Sequence, residues 1–242
     1  MAPKKHVIKF RPSKHFTTHA KRKVGKVVLH YTATRRMETA LQVMHARGVS
    51  AHIVVGREAG EIVCTVPHDK VAWHAVGSNS TGIGIEIVNL GGMIEKNGVY
   101  FQPNAKGRLY PVGPRVPVML AKHPTIDAPY NAWERFTDWQ YEAVAQVCRW
   151  CLDRYGLDVA DVVGHESVDP RGMKTDPGPA FDWSRLRTLI ENAKMDGKKP
   201  LAAVVFGDDG KPAAKKPAAK KAPAAKPAAV LLSKPAAEPA KG

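Results

Sequence analysis

Two histidines and one aspartate form a set that could hold a metal ion. His30 and His165 each lie near the end of a short apolar, β-branched segment, KVVLHY (26–31) and DVVGHE (161–166). In open α/β sheets, ligands bind at the carboxyl ends of the strands. Asp176 lies further along, in a segment stiffened by proline and glycine. Two imidazoles and a carboxylate suit a catalytic zinc ion, which keeps its fourth position for water. Each histidine alone is more readily explained as a core residue, so the prediction depends on the three together.

Two further charged residues could complete a hydrolytic site. Glu86 stands inside the apolar segment GIGIEIV, where a buried carboxyl needs a partner or takes a raised pKa, and it is our candidate for a general base. Lys174 precedes Asp176 by two positions, so in an extended segment both side chains point the same way. Its ammonium could then stabilise an oxyanion. Two simpler alternatives stay open: Glu86 on the wet face of an edge strand, and a salt-bridged surface loop around Lys174 and Asp176.

Cys148 and Cys151 form a C-x-x-C pair whose position argues against redox or metal chemistry. Both lie late in a predicted helix, on its apolar stripe, whereas redox pairs open a helix, where the dipole lowers a thiol pKa. No second pair supplies a zinc-ribbon spacing, and three cysteines cannot build a disulfide framework. We therefore interpret both as buried structural residues.

The elements that must position these residues have a mixed α/β pattern. Apolar, β-branched segments predict strands at 26–31, 50–56, 61–66, 82–89 and 161–166. Helical periodicity and capping residues predict helices over 36–47, over 138–155 after the N-cap Thr137, and after the N-cap Asp182. Residues 91–130 are rich in Gly and Pro, and we interpret them as a long surface segment. The predicted fold class is α/β: a single domain in which helices flank a central mixed β-sheet.

The charge of the chain is concentrated at its ends. The 242 residues carry a formal net charge of +15, and 14 of these charges lie in residues 1–26 and 207–242. We divide the chain into a basic N-terminal extension (1–25), a folded domain (26–195) and a disordered, basic Lys/Ala/Pro-rich tail (196–242). The nearly neutral middle argues against specific nucleic-acid binding. No apolar run is long enough for a transmembrane segment, and no signal peptide is visible, so we expect synthesis in the cytoplasm.

Six segments in chain order resemble one enzyme family. They are VVLHYTAT, SAHIVV, VAWHAVG, GIGIEIVN, FTDWQYEAV and GHESVDPRGMKTDPGPAFDW. The sequence looks like the zinc-dependent N-acetylmuramoyl-L-alanine amidases, which include AmpD-like recycling amidases, phage lysozyme-type amidases and peptidoglycan recognition proteins. The resemblance covers roughly residues 26–190, and its closing motif is specific. It implies that residues 26–195 are an amidase catalytic domain.

The resemblance also implies roles for single residues. The family's zinc ligands fall on His30, His165 and Asp176, so the implied cofactor is Zn²⁺. An aspartate as the third ligand is typical of the AmpD-like branch, while the phage lysozyme-type branch has a cysteine. The family's lysine before that ligand falls on Lys174, and the AmpD-like catalytic glutamate falls on Glu86.

The sequence departs from the family at two places near the implied site. The phage lysozyme-type branch has a catalytic tyrosine next to a histidine, where this chain has Ala51 before His52, and this leaves the role of the base to Glu86. The family's WHAG motif contains an extra Val76 here, which changes the loop at the rim. Our candidates for contacts to the sugar or the peptide are Trp73, His74 and Asn79.

The implied reaction is hydrolysis of the amide between the lactyl group of N-acetylmuramic acid and L-alanine of the stem peptide. Two roles compete: a phage-type endolysin that acts on cell-wall peptidoglycan, and a cytoplasmic amidase that recycles soluble anhydro-muropeptides. The basic ends favour lysis, because the envelope surface is anionic and the tail would anchor the protein there. We expect a monomer in either role.

Three other classes fit the sequence less well. A non-catalytic peptidoglycan-binding module is disfavoured because Glu86, Lys174 and Asp176 are all present. A polyanion binder acting through its tail is disfavoured as the main function by the nearly neutral body. An iron oxygenase with two histidines and one carboxylate would need a jelly roll of many short strands, against which the long capped helices argue.

Overall fold

The computed structural model describes residues 9–18, 22–104 and 106–195. The helices are α1 (Met37–Ala46), α2 (Asp138–Tyr155) and α3 (Trp183–Met195). The strands are β1 (Lys9–Phe10), β2 (Phe16–Thr17), β3 (Lys26–Tyr31), β4 (Ile53–Val55), β5 (Ile62–Cys64), β6 (Val71–Ala72), β7 (Gly82–Ile87), β8 (Gly92–Lys96), β9 (Val99–Pro103), β10 (Leu109–Pro111), β11 (Val118–Leu120), β12 (Ala132–Glu134) and β13 (Val162–Gly164). The predicted disordered tail, residues 196–242, lies outside the described residues.

A six-stranded mixed sheet forms the centre of the domain, in the order β1-β5-β4-β7-β3-β13. β3 runs parallel to both β7 and β13, and β4 runs parallel to β7 but antiparallel to β5. β3, β4 and β7 are nearly continuous apolar runs because both faces of the sheet are covered. The predicted α/β class, with a central mixed sheet and flanking helices, is confirmed, and each predicted strand contains an observed one.

The two faces of the sheet pack against different helices. Odd-numbered positions of β3 and β7, such as Leu29 and Ile85, join one core cluster with the apolar face of α2. Val54 and Val88 join a second cluster with α1. Because side chains alternate along a strand, the even-numbered His30 and its register partner Glu86 point to the face that α1 covers.

Helix α2 has the ends that its sequence predicts. The Thr137 hydroxyl accepts a hydrogen bond from the Gln140 N–H at 3.2 Å, and the Gln140 side chain accepts one from the Thr137 N–H at 2.9 Å. Gly156 ends the helix in the left-handed conformation. Cys148 and Cys151 are fully buried free thiols on its apolar face, and burial raises the pKa of both. The interpretation of the pair as buried residues is confirmed.

Residues 91–130, which we interpret from the sequence as a long surface segment, consist largely of strands. This part of the chain forms four strands and, with β12, a second sheet in the order β10-β9-β8-β12-β11, antiparallel throughout. The second sheet buries a small cluster of Leu90, Met93, Val116 and Ala132. Its strands are short and mostly half-exposed, so they lack the apolar runs that reveal a buried strand in a sequence.

The described part of the basic N-terminal extension packs on this domain. β1 forms the edge of the central sheet by pairing with β5, and β2 pairs with β6. The Arg22 guanidinium is largely buried and donates to backbone carbonyls, including that of His68 at 2.8 Å. In the part of the chain that the structure covers, no helix combines the length and apolarity needed to cross a bilayer.

Candidate active site and metal centre

Three predicted ligands converge at the carboxyl ends of the parallel strands. His30 lies near the end of β3, His165 directly follows β13, and Asp176 lies in the loop before α3. The Nδ1 atoms of the two histidines are 3.0 Å apart, and the Asp176 Oδ2 atom lies 2.9 Å from the first and 3.0 Å from the second. All three residues are buried, with exposures of 2%, 5% and 8%. The structure therefore brings together the set that the sequence suggested.

The chemistry of this donor set fits a divalent metal ion. Two imidazole nitrogens and one carboxylate oxygen converge on one point, as three ligands of a catalytic zinc do. Burial lowers the pKa of His30, which favours the neutral imidazole that binds metals. Burial alone would raise the pKa of Asp176, but hydrogen bonds with His165 and His30 hold it well below its usual range. The pKa shifts of His30 and Asp176 both favour the forms that bind a metal ion.

Glu86 faces the same site from the middle of the sheet. β7 lies between β4 and β3, so the alternative of an exposed edge strand is wrong. The Glu86 Oε2 atom is buried and has no hydrogen-bond partner among the described residues. The pKa of Glu86 is raised to about 8, mainly by burial and also by the Asp176 charge, while the Lys174 charge acts to lower it. Glu86 is thus a carboxyl that can hold or release a proton near neutral pH.

Lys174 and Asp176 reach the site from one short loop. Both line a cavity of about 360 Å³, together with His30, Glu86 and His165. The Thr175 hydroxyl between them contacts the Tyr31 hydroxyl at 2.8 Å and ties the loop to the end of β3. Asp176 is buried and its Oδ2 atom lies against the Nδ1 atoms of the two histidines, so the alternative of a salt-bridged surface loop is wrong for this residue.

The three candidates for substrate contacts have different surroundings. Trp73 is 38% exposed, lines the cavity, and donates its indole N–H to the Thr17 hydroxyl at 2.9 Å. His74 also lines the cavity, but its ring lies against His30. The Asn79 side-chain oxygen accepts hydrogen bonds from the backbone N–H groups of His74 and Ala75, at 2.8 and 2.7 Å. Asn79 therefore shapes this loop, and its contact with substrate stays a prediction.

The sequence model of the N-acetylmuramoyl-L-alanine amidase family matches residues 20–179, which make up most of the described structure. This chain belongs to the N-acetylmuramoyl-L-alanine amidase family. The cluster of His30, His165 and Asp176, with Glu86 and Lys174 beside it, lies inside the matched region.

Characterised amidases with similar sequences come from two subgroups. The chain is 33% identical over 149 residues to the 1,6-anhydro-N-acetylmuramyl-L-alanine amidase AmpD of Salmonella typhimurium, covering 62% of this chain and 60% of AmpD. It is 27% identical over 178 residues to the amidase AmiD of Escherichia coli, covering 68% of this chain and 52% of AmiD. The chain thus spans about three fifths of the length of its AmpD relatives.

A solved structure shows the same amidase fold. The E. coli amidase AmiD, in complex with the substrate anhydro-N-acetylmuramic acid-L-Ala-D-gamma-Glu-L-Lys, superposes with a TM-score of 0.50 at 24% identity. The match covers 73% of this chain and 66% of the AmiD chain.

One partly buried ion pair of the amidase domain, His123 with Glu166, is not predicted by the sequence. His123 donates from Nε2 to the Glu166 Oε2 atom at 3.0 Å, and its Nδ1 accepts from the N–H groups of Thr125 and Ile126 at 3.3 and 3.1 Å. Glu166 is next to His165, so this pair ties the loop before β12 to the turn that carries a candidate ligand. The two residues are 43 positions apart and lie in no periodic pattern, so nothing in the sequence points to their contact.

The raised pKa of Glu86 predicts that this residue lowers the stability of the metal-free amidase domain. The pKa of Glu86 in the folded protein lies above the ordinary value of 4.5. As pH rises from 4.5 to about 8, the unfolded chain therefore ionises while the folded chain keeps its proton, and the stability of the fold decreases. Glu86→Gln removes this penalty. We expect the variant to be more stable than the wild type by on the order of a few kcal/mol at pH 8 and little different at pH 4.5.

Urea unfolding of both metal-free proteins across this pH range measures the difference. A gap in stability that does not grow with pH would contradict the prediction. Glu142→Gln, an exposed substitution on α2, is the matched control, for which we expect no pH-dependent gain.

Proposed function

We propose that this chain is a zinc-dependent amidase that hydrolyses the bond between the lactyl group of N-acetylmuramic acid and L-alanine of the stem peptide. One observation supports this most directly. Three candidate ligand atoms lie within 3.0 Å of one another, in residues that line one cavity. Glu86, whose Oε2 atom has no hydrogen-bond partner among the described residues, and Lys174 line the same cavity. Family membership supplies the bond that such a site would cleave.

The metal ligands in this proposal are His30, His165 and Asp176. Zinc held by three protein ligands lowers the pKa of a water at its fourth position to about 7 and polarises carbonyl groups. The Nδ1 atoms of both histidines and the Oδ2 atom of Asp176 already lie within 3.0 Å of one another. The ligand side chains are therefore preorganised for the ion.

Glu86 is the proposed general base and acid. It accepts a proton from the attacking water and then delivers one to the amine nitrogen of the departing L-alanine. Its pKa of about 8 belongs to the metal-free protein, and a divalent cation nearby favours the ionised carboxylate and lowers that value. No hydrogen bond from a described residue holds the buried Oε2 atom, so it is free to bind the proton.

Lys174 and Trp73 complete the proposed site. Lys174 lines the cavity that also holds the proposed ligands, where its ammonium would stabilise the negative charge that develops on the carbonyl oxygen. Trp73 presents a partly exposed indole at the rim, where it would pack against the sugar or the peptide.

Two substrates suit this chemistry, and a different observation favours each. The basic ends of the chain favour the anionic wall, and hence lysis as by a phage-type endolysin. The likeness to AmpD, whose name specifies the 1,6-anhydro sugar, favours soluble anhydro-muropeptides and a cytoplasmic recycling enzyme. We propose the wall as the main substrate, with the chain acting as a monomer.

Purified full-length protein tested on intact sacculi and on a soluble anhydro-muropeptide distinguishes the two roles. Mass spectrometry should show free stem peptides beginning with L-alanine in both reactions, with efficient release from sacculi. Release only from the soluble substrate would assign the recycling role. If neither substrate yields such peptides while zinc is bound, the proposed activity is wrong.

A truncation after residue 206 tests the proposed anchor. The removed segment carries eight Lys against three acidic residues, so its attraction to an anionic surface is screened by salt. We expect the truncated protein to bind sacculi more weakly at low salt, with a difference that shrinks as salt rises, and to hydrolyse the soluble substrate normally. Identical salt curves would show that the tail does not anchor the enzyme.

A further inference from the structure

We propose that His74 is a positioning residue that fixes the orientation and tautomer of His30 so that its Nδ1 atom faces the metal ion. The inference rests on the proposed zinc site and adds a residue that holds one of its ligands. It differs from the sequence-based prediction that His74 contacts substrate.

The hydrogen bonds around His74 define which atoms carry protons. The Nε2 atom of His74 lies 3.4 Å from the carbonyl oxygen of Gly82, which can only accept, so this nitrogen carries the proton of a neutral ring. The Nδ1 atom of His74 is then an acceptor, and it lies 3.0 Å from the Nε2 atom of His30. His30 therefore donates from Nε2, and its Nδ1 atom keeps a lone pair.

That lone pair points to the candidate metal centre. The Nδ1 atom of His30 lies 2.9 Å from the Asp176 carboxylate and 3.0 Å from the Nδ1 atom of His165. A hydrogen-bond acceptor on the second nitrogen of a ligating histidine also raises its basicity and restrains its ring.

The surrounding chain holds the His74 ring in place. The backbone N–H of His74 donates to the Asn79 side chain, which fixes the loop. The ring lies on β7 where the strand has glycines: a Cβ atom on Gly84 would be 2.5 Å from the His74 Cγ atom, and one on Gly82 would be 3.1 Å from its Cε1 atom. The alternating glycines of GIGIEI thus leave room for this imidazole on the face that also carries Glu86.

The test measures zinc affinity rather than turnover. Full-length wild type, His74→Leu and His74→Asn are titrated with zinc against a chromophoric chelator at one pH. Asn keeps an acceptor oxygen near the position of Nδ1, whereas Leu fills the space without one. We expect His74→Leu to bind zinc about 10- to 100-fold more weakly, as for other residues that support a metal ligand, and His74→Asn to remain within a few-fold of wild type.

Further variants distinguish the positioning role of His74 from the loss of any histidine and from a folding defect. His45→Leu removes an exposed histidine at the end of α1, and we expect no change in zinc affinity. His74→Ala is measured alongside, with thermal unfolding of each metal-free protein, so that a folding defect in His74→Leu leaves a second variant without an acceptor. The visible spectrum of the cobalt-substituted protein should change in the folded Leu or Ala variant and not in His74→Asn.

The results distinguish this inference from the proposed function. Folded His74→Leu or His74→Ala with wild-type zinc affinity would overturn the positioning role, and so would equal losses in the Asn and Leu variants. In both cases the zinc site itself would stand. A wild-type protein that binds no zinc would instead overturn the proposed function.

Discussion

Asp176→Ala is expected to lose bound zinc and amide hydrolysis together. Asp176 is buried and its Oδ2 atom lies within 3.0 Å of the Nδ1 atoms of both candidate ligand histidines, so the substitution removes one of the three proposed ligands. Two imidazoles alone do not make the three-ligand set of a catalytic zinc site. Metal content should fall from about one zinc per chain to near zero, and hydrolysis should fall to background.

Elemental analysis of the dialysed protein and peptide release from sacculi give the two readouts. Asp153→Ala, which removes an exposed carboxylate on α2, is the matched control and should change neither. Full zinc content with normal turnover in Asp176→Ala would remove this residue from the metal site. Normal wild-type turnover after complete chelation would contradict zinc dependence itself.

Glu86→Gln is expected to reduce turnover by about 100- to 10,000-fold while zinc stays bound, because the amide keeps the shape of the side chain but cannot exchange a proton. Its buried Oε2 atom has no hydrogen-bond partner among the described residues, so the substitution breaks no hydrogen bond at that atom. Lys174→Ala, measured in the same assay, should cost about 100- to 1,000-fold through the lost oxyanion partner.

Steady-state rates on a soluble muropeptide, together with zinc content, check both variants. The effects should appear in kcat, because both groups act on the transition state rather than on the bound substrate. Exposed Glu142→Gln serves as the control. Near-normal kcat in Glu86→Gln would require another general base, and zinc loss in that variant would place the residue in the metal site instead.

Residues that obey a local rule were predictable from the sequence. The apolar, β-branched segment before His30 and the one before His165 had to be buried strands, and parallel strands bring their carboxyl ends to one edge of a sheet. Thr137 and Gln140 form a capping box because the first turn of a helix has free N–H groups to satisfy. The buried cysteines followed from their place on an apolar stripe. For such features, the interaction partners are nearby in sequence or implied by a repeating period.

The tertiary structure alone decided the features that depend on distant partners. Residues 91–130 form strands only because β12 completes their sheet and a small cluster covers it, so no segment shows a strong period by itself. Glu86 is interior because β4 and β3 flank its strand, a neighbourhood that its own sequence does not encode. The contact of His74 with His30 requires the bare backbone of Gly84 beneath the ring. Each of these contacts joins residues whose spacing along the chain carries no period, so only packing in three dimensions selects the partner.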